Sequence, residues 1–286
     1  MDWSERAAAM AQAAREDRDW HAALARQLLR PGDRVVVDVG CGAGGMTAAF
    51  AAALGPEGRV LAVDASAPLL AVVAEQVREV SPTGGGAPVE LVEADLHAGV
   101  EPVRAALPKP ADLVWAARSV HHLGDQQRAV DELTTLLAPG GRLALAEGGL
   151  KPRCLPWDVG VGEPGLELRL LAANDRYLAR MRAELPGHRT MPYGWTEALR
   201  RAGLVDVTTR NFLYERPVPL SDRDRGRVVE HLTDWVGRLR PTGLLSEADV
   251  AAWDRLLEPD DAAWLGHRTD LELLRVDSVH VGTRPA

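Results

Sequence analysis

A doubly wound α/β sheet of seven mainly parallel strands is the fold this sequence predicts. Three observations carry that prediction. Five short apolar stretches between residues 34 and 146 alternate with helical ones. A glycine-rich loop joins the first stretch to the helix after it. Two further strand-like stretches, 205–213 and 271–281, are separated by helical insertions rather than by single crossover helices.

Residues 3–30 read as helix in two pieces, with Trp20, Leu24 and Leu28 at i, i+4, i+8 and Pro31-Gly32 as the stop. Residues 34–39, RVVVDV, are β-branched and short, as a strand buried on both faces must be. An alanine-rich helix follows from about Met46 to Leu54 and ends at Gly55-Pro56. The second strand runs from Val60 to Val63 and closes on Asp64. Pro68 then opens a helix reaching about Val80, and a turn over 81–86 follows. Val89 to Val92 is the third strand, ending near Asp95. Asp112 to Ala116 is the fourth, with a helix over about 125–137. Pro139-Gly140-Gly141 turns the chain into the fifth, Arg142 to Ala146.

Beyond Glu147 the rhythm changes. A long helix within 150–193 aligns Leu166, Leu170, Ala173, Tyr177 and Met181, and Trp195 to Ala202 is a second helix ended by Gly203. Residues 222–268 are helical again. Val228, Val229, Leu232, Trp235, Val236 and Leu239 share one face up to Pro241, and Ser246 with Asp249 opens the next helix.

Composition narrows the function. The chain has 286 residues, 46% apolar and 26% charged, ordinary for a folded globular chain. Thirty-three basic residues against 41 acidic give a net charge of −8, which disfavours phosphate backbones, so no nucleic-acid partner is expected. Only Lys109 and Lys151 are lysine, a bias that fits a GC-rich coding sequence. No stretch reaches the ~18 apolar residues of a membrane span. Residues 1–6, MDWSER, lack the basic start and apolar run of a secretory signal, so a cytoplasmic place is expected. Cys41 and Cys154 make neither a four-cysteine zinc site nor a Cys-x-x-Cys pair.

The chemistry centres on residues 37–45, VDVGCGAGG. Glycines between a strand and a helix let the backbone approach a ligand and present amides at a helix start. Gly40-x-Gly42-x-x-Gly45, with Asp64 24 residues beyond Gly40, fits a nicotinamide dinucleotide as well as S-adenosylmethionine. Three features separate them. Asp38 puts a carboxylate where a pyrophosphate would be repelled and a cationic methionine end welcomed. No tyrosine is followed four residues later by lysine, as short-chain dehydrogenation requires. Asp95, then Ser-Val-His-His-Leu (119–123), then Leu-Ala-Pro-Gly-Gly (137–141) arrive in order after strands three and four and before strand five.

With VVVDVGCGAGGMT (35–47), GRVLAVDAS (58–66), VEADLH (92–97), ADLVWAARSVHHLGD (111–125) and LAPGGRLALAE (137–147), the chain resembles the class I S-adenosylmethionine-dependent methyltransferases, in particular their small-molecule branch. The resemblance covers residues ~30–150. It implies Gly40, Gly42 and Gly44, with Asp38, on the methionine part. It implies Asp64 with Ala65 at the ribose, Asp95 with Leu96 at the adenine, and the backbone at Ala117 and Arg118 at the methionine end. The expected activity is methyl transfer from S-adenosylmethionine to a small-molecule or short-peptide acceptor of secondary metabolism. A cofactor-binding regulator without catalysis and a nicotinamide-dependent dehydrogenase are the alternatives.

Methyl transfer to oxygen or nitrogen needs alignment and removal of one proton. His121 and His122 after strand four and Glu147 at the end of strand five stand at the sheet edge where such folds bind ligands, and are the candidate bases. His231 reads as a core histidine, and His188 and His267 fall in loops. Strand four is followed neither by the Asn/Asp-Pro-Pro-aromatic run of nucleobase amino-methylation nor by the aspartate of metal-dependent catechol-type enzymes. Cys154 lacks the preceding proline of cytosine C5 chemistry. No metal is therefore expected.

Four segments are expected: an N-terminal helical lid (1–30), the cofactor-binding core (31–149), a helical insertion capping the acceptor (150–193), and the rest of the sheet (194–286) with its insertion at 222–268. Trp3, Trp20, Tyr177, Trp195 and Trp235 lie mostly outside the sheet. They lead to the expectation that 1–30, 150–193 and 222–268 converge over the carboxyl edge as an apolar acceptor chamber.

Overall fold

The computed structural model describes residues 7–80 and 85–286, so Trp3 and part of the turn expected over 81–86 lie outside it. Helices α1 (Ala7–Glu16) and α2 (Arg18–Leu28) lead to β1 (Val35–Val39), α3 (Gly45–Leu54), β2 (Arg59–Asp64), α4 (Ala67–Val80) and β3 (Val89–Glu93). Then come α5 (Glu101–Ala106), β4 (Ala111–Ala117), α6 (Gln126–Thr134), β5 (Leu137–Arg153) and α7 (Leu166–Ala183). The chain continues through α8 (Trp195–Arg201), β6 (Val205–Glu215), α9 (Asp222–Leu239), α10 (Glu247–Leu257) and β7 (Leu274–Thr283). One seven-stranded sheet runs β3-β2-β1-β4-β5-β7-β6, and the β3–β2, β2–β1, β1–β4 and β4–β5 pairs are parallel. The doubly wound α/β fold is thus present.

Two compact units divide the chain. The first takes in the described part of Met1–Gly148 together with Gly187–Arg210 and Ser278–Ala286. Its centre is β1, every residue of which is buried because strands flank it on both sides. Alternation sends Val35, Val37 and Val39 into one core with Leu61, Val63, Val114, Leu143, Leu145, Val130 and Leu133. On the opposite face Phe50 of α3 meets Trp115 of β4 edge-on, with ring centroids 6.2 Å apart. Each such side chain contributes roughly 1.5–3 kcal/mol on burial. Two polar anchors pin the strand starts. The Asp112 carboxylate accepts both Arg34 N and Val35 N at 2.8 Å, and buried Arg142 donates to Leu28 O and to Asp33.

The second unit comprises Gly149–Pro186 and Asn211–Asp277. In it α9 packs against α7 and α10. It buries Leu166, Leu170 and Ala173 of α7, Val228, Leu232, Val236 and Leu239 of α9, and Trp253 and Leu256 of α10. Arg169 forks onto the Asp249 carboxylate, and buried Glu167 accepts Cys154 N at 2.7 Å. Ser246 caps α10 through Asp249 N at 3.0 Å, as the sequence pattern predicts.

The structure differs from expectation in three places. Helix α5, opened by Pro102, carries no periodic signal in so few residues. Strand β7 begins at Leu274 rather than 271. The fifth strand is much longer than 142–146, because Pro139-Gly140-Gly141 is a bulge and not a turn. Register slips between Ala111↔Leu137 and Leu113↔Arg142, and Gly140 and Gly141 exchange backbone hydrogen bonds with Arg284.

Candidate functional site

The carboxyl ends of β1, β2, β3 and β4 carry the loops at which the sequence points. After Val39 the chain enters Gly40 (φ +65°), Gly42 (φ +54°) and Gly44 (φ +82°), a left-handed backbone that side chains resist. Cys41 N donates to Val63 O at 3.0 Å, tying the loop to β2. Space is as demanding as the dihedrals. A Cβ on Gly40 would lie 2.5 Å from Ser119 Cβ, and one on Gly44 would lie 2.9 Å from Val73. Met10 of α1 and His21 of α2 close on the loop at Gly42 and Gly45, so both N-terminal helices stand against it.

Asp64 ends β2 half-buried, where Oδ2 accepts Gly42 N at 3.0 Å and Oδ1 accepts Ser66 N at 2.9 Å. The carboxylate therefore shapes the glycine loop, and Ala65 beside it is exposed. On the next strand end Asp95 is exposed, accepts His97 N at 2.9 Å, and is followed by half-buried Leu96. Asp38 sits inside β1, 2% exposed, and accepts the Thr47 hydroxyl at 2.6 Å. Burial pushes its carboxyl up to about 7, the Thr47 hydrogen bond opposes that, and Asp64 adds to it. Burial together with Asp38 and Asp64 raises the Cys41 thiol far above its usual range.

The raised Asp38 carboxyl makes stability depend on pH. Between pH 4 and 7 the unfolded chain ionises this group while the folded chain keeps its proton, so stability falls as pH rises through that window and levels off above it. Asp38→Asn is expected to remove that slope. The difference in unfolding free energy between variant and parent should grow by on the order of 2–4 kcal/mol from pH 4.5 to 7.5. Urea melts at the two pH values check it, and a constant difference would refute it.

A second cluster forms where β4 and β5 run side by side, with Ala117 opposite Ala146. Arg118 leaves β4 with φ +49°, a conformation costing a non-glycine residue roughly 1–2 kcal/mol, and its amide donates to Ala146 O. That turn aims three amides at one buried carboxylate. Glu147 Oε1 accepts Ser119 N at 3.0 Å, Val120 N at 2.9 Å and His121 N at 3.3 Å. Glu147 Oε2 lies 2.8 Å from His121 Nδ1. Facing a carboxylate, Nδ1 is the protonated nitrogen, which makes Nε2 the basic one in the neutral ring. His122 is exposed, and its ring centroid lies 4.1 Å from that of His121.

Three contributors escape the sequence reading. Ser119 packs on Gly40 and donates its hydroxyl to Val39 O at 3.3 Å, joining the two clusters. His280 of β7 donates Nε2–H to Glu147 O at 3.1 Å while Thr209 of β6 bonds its Nδ1 at 2.8 Å, and burial lowers its pKa. Among the described residues no three His, Cys, Asp or Glu side chains gather as a metal site, and no helix is long and apolar enough to cross a membrane.

The residues present suit S-adenosylmethionine. The glycine loop takes left-handed backbone and leaves no room for a Cβ against Ser119, Met10 and Val73, carboxylates stand at successive strand ends, and a buried acid lies beneath the loop. Comparison with known proteins agrees. Residues 37–143 match the family model described as a methyltransferase domain. A ubiquinone/menaquinone biosynthesis C-methyltransferase of Hahella chejuensis is 32% identical over 115 residues, 39% of this chain and 42% of that one. The 27-O-demethylrifamycin SV methyltransferase of Amycolatopsis mediterranei is 33% identical over 101 residues, 32% and 37% of the two chains. The matched region thus spans about two fifths of those relatives' length. A solved structure from Bacillus halodurans C-125, provisionally described as a methyltransferase, shares the fold over 93% of this chain and 99% of its own, at 16% identity and a TM-score of 0.50.

Proposed function

Because residues 37–143 match a methyltransferase-domain model, we propose that the chain is a class I S-adenosylmethionine-dependent methyltransferase that carries a methyl group from that cofactor to a small-molecule or short-peptide acceptor of secondary metabolism. The observation that carries the reading is the coupling of Gly42 N–H to the Asp64 carboxylate across a left-handed glycine loop. The relatives support a small acceptor, since one is a C-methyltransferase of quinone biosynthesis and another acts on a demethylrifamycin.

The cofactor, when bound, supplies an electrophilic sulfonium methyl group. Gly40, Gly42 and Gly44 would receive its methionine part, with buried Asp38 beneath the loop and the backbone at Ala117 and Arg118 at the same end. Asp64 beside Ala65 would take the ribose hydroxyls, and Asp95 with Leu96 the adenine. His121 Nε2 is the group placed to remove a proton from an oxygen or nitrogen acceptor, with Glu147 fixing its tautomer and the His122 ring tilted beside it. Helices α1 and α2 act as a lid on the glycine loop, and acceptor choice resides in 150–193 and 222–268.

Asp64→Ala tests the cofactor role. A charge-assisted hydrogen bond is worth roughly 1.5–3 kcal/mol, so S-adenosylhomocysteine should bind at least ~10-fold more weakly in calorimetry. Because Asp64 also holds Gly42 N and Ser66 N, the variant should lose some melting temperature too, and Asp64→Asn less. Equal affinity in parent and alanine variant would remove Asp64 from the site. In the same titration, hydrogen exchange across Ala7–Leu28 should slow on ligand addition, and unchanged exchange would remove the lid.

A further inference from the structure

The left-handed turn at Arg118 is explained by the three residues after it, since it brings the amides of Ser119, Val120 and His121 onto Glu147. That explanation concerns the backbone alone. Glycine or asparagine would make the same turn with less strain, so the arginine side chain is the part that the turn leaves unaccounted for. The residue is exposed, and among the described residues its guanidinium enters no ion pair. Several arginines of this unit are paired, Arg104 with Glu101, Arg128 with Glu132 and Arg189 with Asp125, whereas Arg118 shares its lack of an ion pair among the described residues with Arg26 and Arg78.

The surroundings give the cation a task. The carboxyl edge collects Asp64, Asp95 and Glu147, in a chain of net charge −8. Such an edge repels an anionic acceptor unless a cation meets it. Arg118 stands one residue from the amides that Glu147 holds and three from His121. A planar guanidinium offers paired donors to a carboxylate or phosphate and turns away a neutral analogue.

We infer that the Arg118 guanidinium recognises an anionic group, carboxylate or phosphate, on the methyl acceptor and holds that acceptor beside His121. The inference rests on the methyltransferase reading and names its acceptor class. Arg118 is thus a specificity-determining residue, and its strained backbone is kept because the turn and the charge are needed at one position.

The test uses the full chain saturated with S-adenosylhomocysteine, titrated calorimetrically at pH 7.5 and constant ionic strength with citrate and, separately, with inorganic phosphate. The parent should bind at least one of the two anions, and the tighter one distinguishes a carboxylate from a phosphate site. Arg118→Gly should weaken that binding at least ~10-fold, while Arg118→Lys recovers part of it. The glycine variant should melt no lower than the parent, since glycine suits the turn. Equal anion affinity in the glycine variant, or neither anion binding the saturated parent, overturns the inference. Weakened S-adenosylhomocysteine binding in step with the anion also overturns it, because the guanidinium would then serve the methionine carboxylate. A parent that binds no S-adenosylhomocysteine overturns the underlying reading as well, and the first titration tells that failure apart.

Discussion

Glu147→Gln is expected to lower kcat by about 10²- to 10⁴-fold for an oxygen or nitrogen acceptor, the range spanned by loss of a general base, with little loss of stability. Glutamine matches glutamate in shape, and its one carbonyl oxygen is claimed by the amides of Ser119, Val120 and His121. Its NH2 then faces His121 Nδ1, which must accept instead of donate. The proton moves to Nε2, and the basic nitrogen is lost without any atom leaving the site. Glu147→Ala behaves differently. It strips the acceptor from three amides and from His121, and should cost about 3–5 kcal/mol of stability. Initial rates with tritiated cofactor, beside thermal melts of both variants, check this. Parental turnover in the glutamine variant would exclude the His121–Glu147 pair from proton transfer.

Gly40→Ala should weaken S-adenosylhomocysteine binding by ~30-fold or more and lower the melting temperature. The left-handed φ of +65° costs alanine roughly 1–2 kcal/mol, and a Cβ 2.5 Å from Ser119 Cβ forces a shift costing about 1–3 kcal/mol more. Together that is about 2–5 kcal/mol, taken from the backbone that meets the ligand. Gly243→Ala isolates the first contribution, because Gly243 is left-handed (φ +67°, ψ +16°) with nothing within 4 Å of a Cβ. Calorimetry and melts on the pair should show Gly243→Ala losing stability alone, and comparable ligand affinity in the two variants would exclude the Gly40 cradle.

What the sequence makes legible is local. Three consecutive valines mark β1, and the glycines with Asp64 and Asp95 declare themselves by their distance from strand ends. These features depend on neighbours a few residues away, which is the range over which periodicity and turn chemistry act. The bulge in β5 does not: it is stabilised by Arg284 at the far end of the chain, so Pro139-Gly140-Gly141 reads as a turn when taken alone. The grip of Glu147 depends on the β4–β5 register, which no spacing encodes. Ser119 meets Val39 across 80 residues, and His280 meets Glu147 across 133. Short-range chemistry is thus readable for the glycine loop and its neighbouring carboxylates, while the Glu147–His121 cluster is assembled from distant strands.

The strand order has a consequence for how the chain is made. Strand β7 lies between β5 and β6, and among the described strands β6 has no other neighbour in the sheet. During synthesis β1 to β5 can pair as they emerge, but β6 must wait with its backbone donors and acceptors in water until residues 274–283 have followed it. Through that interval the β5 edge is open to pairing with other nascent chains. Expression at low temperature or with holdase chaperones should therefore favour the folded product over aggregate, and the step that protects the protein is the late insertion of one central strand.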